Sequence, residues 1–187
     1  MSGGHGHIEG ANKNIAMLIA VLALVLAVAE TLGKSAQTAA LNINIEAANL
    51  WNFFQAKTIR GTVLKTAAEE AELDLAAAGA QGREAIEKRI ADWKKNAARY
   101  DSEPETGEGR KELAARAKAA EAKRDRSLAA YHHFELASAA VQIAIVLASA
   151  TVITGALWLT WVSISLGVLG IIFCGIGFFA PQSVHLF

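Results

Sequence analysis

The stretch 136–180, LASAAVQIAIVLASATVITGALWLTWVSISLGVLGIIFCGIGFFA, decides the fold class because it contains no Asp, Glu, Lys or Arg. A charge-free run of this length has room for two membrane spans of about 20 residues each. The sequence therefore predicts transmembrane helices over 134–154 and 157–180, joined by a tight turn at Thr154 and Gly155. Buried helices of soluble cores are typically shorter and amphipathic, so insertion into a lipid bilayer is favoured.

A third apolar segment, Ile15 to Ala29, lies near the N-terminus. It predicts a transmembrane helix over 14–32, after a flexible Gly-rich tail over 1–13. The end of this segment resembles a signal-peptidase site, but Lys13 alone supplies the basic flank of a signal peptide, so an uncleaved span is expected. A short apolar C-terminal tail is predicted over 181–187.

Residues 33–133, between the first and second spans, are polar, charged and rich in Ala. Two glycines in 79–82 predict a tip turn, and the segment 101–109, which contains Pro and Gly, predicts a second break. At 1.5 Å per residue, an outgoing helix of about 44 residues matches two returning helices of about 18 and 24 residues. The predicted fold class is therefore an all-α membrane protein, with three transmembrane helices and a long antiparallel helical-hairpin, coiled-coil-like stalk between the first and the second.

Small and apolar residues recur at steps of four and three along both arms of this hairpin, which is the spacing of a coiled-coil seam. They are Leu64, Ala68, Ala71, Leu75 and Ala78 on the outgoing arm, and Ile86, Ile90, Trp93, Ala97 and Tyr100 on the returning arm. Small side chains favour close approach but bury little area, so we expect the stalk to lean on other copies or on a partner.

Two faces run along the helix that contains 42–57. The apolar face carries Ile43, Ala47, Leu50 and Phe54, and the mostly polar face carries Thr38, Asn42, Ile45, Asn49 and Asn52. Asn at core positions of a coiled coil fixes the register and the number of helices, so Asn42, Asn49 and Asn52 are predicted to specify a homo-oligomer. The alternative is that these side chains cap the backbone or face water.

Trp51 and Phe54 are predicted to pack against protein. Aromatic residues often anchor a helix at the membrane interface. However, Trp51 lies roughly 25–30 Å beyond the end of the first span if the helix is straight. Packing within the protein is therefore favoured over contact with lipid headgroups.

Small residues form a stripe in the last span, where Ser163, Gly167, Gly170, Cys174 and Gly177 follow at steps of four, three, four and three. Such stripes let helices approach closely in lipid, so Gly167, Gly170, Cys174 and Gly177 are predicted packing positions. Cys174 is the only cysteine, which excludes an intramolecular disulfide and a multi-cysteine metal site.

Histidines give no strong site. His5 and His7 could bind a metal ion only weakly, because a stronger site needs more ligands. His132 and His133 are adjacent and point to different sides of a helix, so we expect interfacial anchoring, with pH sensing as the alternative. Glu30 lies near the boundary of the first span, where its carboxylate can reach water, and a proton-relay role is less favoured.

Charge and motifs argue against an enzyme or a nucleic-acid-binding protein. The 18 basic and 18 acidic residues balance, and in 33–133 they are interleaved as on a solvated helix surface. We find no Gly-rich phosphate loop, no metal-ligand spacing and no Ser/His/Asp or Cys/His set. The sequence therefore predicts a non-enzymatic protein with no catalytic, cofactor-binding or metal-binding residues and no nucleic-acid partner.

The run 49–57, Asn-Leu-Trp-Asn-Phe-Phe-Gln-Ala-Lys, with one apolar segment before it and an apolar hairpin after it, resembles a bacterial membrane-protein family known only as a domain of unknown function. Residues 99–103 and 129–132 also fit this family, and the resemblance covers nearly the whole chain. It implies a multi-pass protein of the bacterial inner (cytoplasmic) membrane and implies no activity. Basic residues favour a cytoplasmic stalk, whereas those of some relatives favour the reverse, so the orientation stays open.

Three functions are consistent with these patterns. The favoured one is a homo-oligomeric membrane scaffold with a projecting helical stalk, because small-residue and Asn patterns occur without a reactive cluster. The second is an accessory subunit of a larger membrane complex, which predicts an unequal partner. The third is an oligomeric channel or transporter, for which the spans offer few polar residues: Gln142, Ser149, Ser163, Ser165 and some Thr.

Overall fold

The computed structural model describes residues 5–77 and 79–184, with side chains described for 13–76, 79 and 82–184. Every regular element in these ranges is a helix: α1 (His5–Ala77), α2 (Ala80–Asp101), α3 (Arg110–Thr154) and α4 (Trp158–Phe179). The prediction of an all-α protein is therefore confirmed. The side chains of His5 and His7, the weak metal candidates, and the seam residue Ala78 lie outside the described part.

Proline and glycine mark the helix ends. Pro104 lies in the loop 102–109 between α2 and α3, and Pro181 follows α4, because a proline inside a helix removes a backbone hydrogen bond. Gly107 (φ 67°), in the loop before α3, and Gly155 (φ 69°), directly after α3, have the left-handed backbone conformation. Glycine adopts this conformation at low cost because it has no Cβ.

Two helix ends differ from the predicted boundaries. α1 reaches back to His5, into the segment 1–13 that was expected to be a tail. A tip turn was predicted over 79–82, but α2 already begins at Ala80. The Gly82 amide donates a hydrogen bond to the Gly79 carbonyl at 3.2 Å. One glycine costs a helix only about 1 kcal/mol, so Gly82 does not prevent the helix from starting before it.

The chain forms two compact units. We call residues up to Leu41 and from Arg124 onward the apolar unit, and residues Asn42–Lys123 the polar unit. The apolar unit packs parts of α1, α3 and α4 around a small core, in which Leu22 of α1 is buried with Val141 and Ala144 of α3.

Three helices, α1, α3 and α4, are long and apolar enough to cross a membrane. Only 17%, 33% and 22% of the residues in their most apolar windows are buried within the chain. Large apolar side chains consequently face outward, among them Leu24, Ile153, Trp161 and Phe179, which are 67%, 86%, 73% and 80% exposed. Such continuous apolar surface is unusual for a protein in water and is the surface that a bilayer solvates.

In the polar unit, α1 contacts both α2 and α3. Glu72 of α1 pairs with Lys94 of α2, and Trp51 of α1 donates a hydrogen bond to Glu121 of α3.

The core of the polar unit forms on the face of α1 that the sequence predicts to be apolar. Ala47 and Leu50 are buried there against α3. The remaining members of this core are Leu113, Ala117 and Ala120, with Ile43, Trp51 and Phe54 packed around them. The predicted apolar face of α1, and the packing of Trp51 and Phe54 against protein, are both confirmed.

Candidate functional site

The segment 49–57 of α1, which we call the aromatic run, contacts the first three turns of α3. Trp51 Nε1 donates to Glu121 Oε1 at 2.8 Å. The rings of Trp51 and Phe54 meet edge to face with their centroids 5.4 Å apart. The Arg110 guanidinium lies 5.8 Å from the Phe54 centroid, within the range of a cation–π interaction. The two aromatic residues therefore hold α3 at Arg110 and again at Glu121.

Lys57 connects α1 to the loop 102–109. Its Nζ lies 3.9 Å from a Glu103 oxygen and 3.8 Å from a Glu108 oxygen, and its side chain is 11% exposed. The same ammonium lies 5.2 Å from the Tyr100 ring centroid. A cation this far removed from water is stabilised only when charges or an aromatic ring surround it, so Lys57 has a structural role at the loop.

Glu112 closes the loop from the α3 side. Its Oε1 accepts from Ser102 Oγ at 2.7 Å, and its Oε2 accepts from the Glu103 backbone amide at 3.1 Å. These hydrogen bonds, that from Ser102 first, favour the carboxylate and hold the pKa of Glu112 below its usual value. A negative charge in the first turn of α3 also interacts favourably with the helix dipole.

Asp101 closes the loop from the α2 side. Arg110 and Lys111 lie 2.7 and 3.1 Å from its carboxylate, and the hydrogen bond from Lys111 is the main cause that lowers the pKa of Asp101. Arg99 pairs with Glu103 at 2.7 Å, and this bond likewise lowers the pKa of Glu103.

We expect the polar unit to lose stability in acid. Asp101, Glu103 and Glu112 have folded-state pKa values below their unfolded values of 3.8, 4.5 and 4.5. The unfolded chain therefore binds these protons first, so their contribution is complete above pH 4.5 and is lost as the pH falls through the folded values. Thermal unfolding midpoints measured by circular dichroism from pH 7 to 3 should fall below pH 4.5, and less steeply in a D101N/E112Q variant.

Removing the indole donor of Trp51 should also destabilise the polar unit. We expect Trp51→Phe to lower the free energy of unfolding by about 1.5 kcal/mol, because the bond to the Glu121 carboxylate is charge-assisted. Trp158→Phe, at a tryptophan 66% exposed on α4, is the matched control with little expected effect. If Trp51→Phe costs as much in an E121A background as in the native chain, the hydrogen bond is not the cause.

Asn42, Asn49 and Asn52 are exposed on the face of α1 away from this network. Asn42 and Asn49 line an open groove of about 470 Å³ together with Phe53 of α1 and Arg116 of α3. Within one chain these amides are not core residues. Their assignment as specifiers of a homo-oligomer stays a prediction.

The small-residue stripe of α4 packs inside the chain. A Cβ added to Gly167 would stand 2.6 Å from Leu22 Cδ2, and one added to Gly170 would stand 2.5 Å from Val141 Cγ2. Gly177 faces Phe134 in the same way, and the free thiol of Cys174 is half-buried. The space beside these glycines is therefore filled by side chains of α1 and α3 of the same chain. The glycine stripe consequently gives no support to association between chains.

His133 does not anchor the chain at an interface, and that prediction is wrong. The side chain is 1% exposed, its Nε2 lies 3.1 Å from the Pro181 carbonyl oxygen, and its ring stacks on Phe173 with centroids 6.2 Å apart. Gly177 makes room for it, since the His133 Cβ lies 3.0 Å from the position a Cβ on Gly177 would take. His133 therefore holds the end of α4 against α3.

One polar pair lies in the outward surface of the apolar unit. Gln142 Nε2 of α3 donates to Glu30 Oε1 of α1 at 3.2 Å, and the pair is exposed. Polar groups in an apolar segment pair with one another when they can. Glu30 thus reaches toward α3 rather than standing only at the boundary of the span.

Among the described residues, no group of three or more His, Cys, Asp or Glu is placed to hold a metal ion. The charged groups around the loop 102–109 are instead engaged with one another. Sequence reasoning missed this network, and the only local signal for it is the acidic composition of the loop.

A family described as "Domain of unknown function (DUF4337)" matches residues 11–180. No curated protein and no solved structure matches the chain. The family match includes all four helices from residue 11 of α1 onward, and its description names no activity.

Proposed function

This chain belongs to the DUF4337 family, and we propose that it is a non-enzymatic scaffold of the bacterial inner membrane, built as a homo-oligomer. Three transmembrane helices anchor each copy. A long antiparallel helical hairpin, formed by the polar unit, projects from the membrane as a stalk.

The observation that carries this proposal is the use of the motif residues inside the polar unit. Trp51 donates a hydrogen bond to Glu121, and the Arg110 guanidinium lies over the ring of Phe54. Lys57 forms ion pairs with Glu103 and Glu108. Residues that bind a substrate need free polar groups that converge on a pocket. These residues instead fix the path of the loop and the start of α3, which is what a rigid spacer requires.

The native mass of the chain, extracted gently from its own membranes, tests this function. A multiple of 19.8 kDa supports the self-assembled scaffold. A stoichiometric, unequal protein that remains bound would instead make the chain an accessory subunit. Solute flux in liposomes that contain only this chain would contradict a purely structural role.

Changing Asn42, Asn49 and Asn52 together to Leu tests the role of the amides. Buried Asn fixes the number of helices at a cost in stability, so the variant should form a more stable assembly with an altered copy number. An unchanged mass and an unchanged thermal midpoint would show that the amides do not specify the assembly.

A further inference from the structure

The outward face of α1 in the polar unit carries an unbroken heptad pattern. Eight positions follow at alternating steps of three and four, and all eight are exposed: Asn42, Ile45, Asn49, Asn52, Ala56, Ile59, Val63 and Thr66. We call these eight residues the outward stripe. A seam that lasts for three to four heptads is typical of a coiled coil.

The outward stripe is not the surface that packs inside the chain. The core residues Ala47, Leu50 and Ala68 lie on the other side of α1, roughly 150° around the helix axis at 3.6 residues per turn. Ile45, Ile59 and Val63 are 59%, 64% and 59% exposed. None of the eight residues is charged, although charged residues surround them on the same helix.

We propose that a second copy of this chain packs against the outward stripe, parallel and in register. This inference rests on the proposed homo-oligomeric scaffold and identifies the surface that builds it. Copies of one membrane protein share one orientation, so two copies that meet side by side along α1 run in the same direction.

The asparagines identify the partner as an identical helix. A carboxamide both donates and accepts hydrogen bonds, so parallel, in-register pairing sets Asn42, Asn49 and Asn52 each against the same residue of the other copy. Every amide then gains a partner. A helix of different sequence would have to carry polar residues at the same three heights.

The flanks of the stripe fit the same arrangement. Parallel pairing brings Phe53, 54% exposed, beside Ala48 of the other copy, so a large side chain meets a small one. It brings Arg60 beside Gln55, which places no like charges together.

The charges also predict where the pairing ends. The next heptad position is Glu70, and the next flanking pair would set Glu69 against Asp74. Like charges at both places oppose association. The seam therefore stops near Thr66, and its polar content means that it depends on the high effective concentration of copies held in one membrane.

Disulfide cross-linking of the full chain in its native membranes tests this surface. In a C174A background, single-cysteine variants N49C and I59C should each give a disulfide dimer on mild oxidation, because paired seam positions approach within bonding range. Lys65→Cys, at an exposed position on α1 away from the stripe, is the matched control and should give no dimer. Leu73→Cys lies beyond Glu70, where the seam is expected to have ended, so this variant should give no disulfide dimer either.

Each other outcome overturns the inference. Cross-links that form only when N49C and I59C chains are mixed indicate antiparallel packing, and a disulfide to a protein of unequal mass indicates a different partner. If the native mass is a multiple of 19.8 kDa but neither stripe variant cross-links, the scaffold stands and this surface is wrong. A native mass of one copy contradicts both.

Discussion

Replacing Gly170 by leucine is expected to destabilise the apolar unit by at least about 3 kcal/mol, the upper end of the usual cost of overpacking. A Cβ on Gly170 stands 2.5 Å from Val141 Cγ2 and 3.1 Å from the Ala137 carbonyl oxygen. Val141 is fully buried, and a backbone oxygen cannot rotate away, so α4 must move off α3. Thermal unfolding of the detergent-solubilised chain, followed by helical circular dichroism, measures the loss.

Two other glycines of α4 calibrate this result. Gly175 has no atom within 4 Å of an added Cβ, so Gly175→Leu should not lower the midpoint. Gly167→Ala should fall between them, because the atom it meets is the terminal methyl group of Leu22, which can change rotamer. Equal effects at Gly170 and Gly175 would show that α4 does not pack closely through its small-residue stripe.

Hydropathy and periodicity were sufficient to predict the helical fold class and the three apolar helices. The face of α1 with Ala47 and Leu50 was predicted because burial imposes a regular spacing along one helix. Trp51 and Phe54 were placed against protein for a different reason, the distance of roughly 25–30 Å between Trp51 and the end of the first span. The spacing of apolar residues along one helix shows which face of that helix is apolar, so this face can be predicted from the local sequence alone.

The candidate site was less predictable because its contacts join distant residues. Nothing near Lys57 in sequence indicates that Glu103 and Glu108 approach it, and nothing near Trp51 indicates Glu121. The glycine stripe of α4 shows a related difficulty. Small side chains allow another helix to approach closely, but their spacing does not identify which helix it is. His133 was misplaced for the same reason: its burial depends on Gly177 and Pro181, which a different helix end supplies.

Replacing Gly109 by alanine is expected to open the loop 102–109 and to destabilise the polar unit by about 3 kcal/mol, from overpacking and lost hydrogen bonds. A Cβ there collides with the Glu103 backbone nitrogen and the Glu112 carboxylate, and stands 2.7 Å from Ser102 Cα. Gly109 has no positive φ, so the cost comes from the neighbours and not from the backbone conformation. The bonds from Ser102 and Glu103 to Glu112 must lengthen or break.

Limited trypsin digestion of the folded chain separates this local opening from general unfolding. Cleavage after Arg110 and Lys111 should be faster in G109A, because both residues adjoin the loop and lose their pairing with Asp101. Gly82→Ala is the matched control: no atom lies within 4 Å of its Cβ, and Ala favours a helix over Gly by about 1 kcal/mol, so its midpoint should rise. If G109A behaves like G82A, the loop is not closed on Gly109, and the aromatic run and Lys57 would have to hold α3 without it.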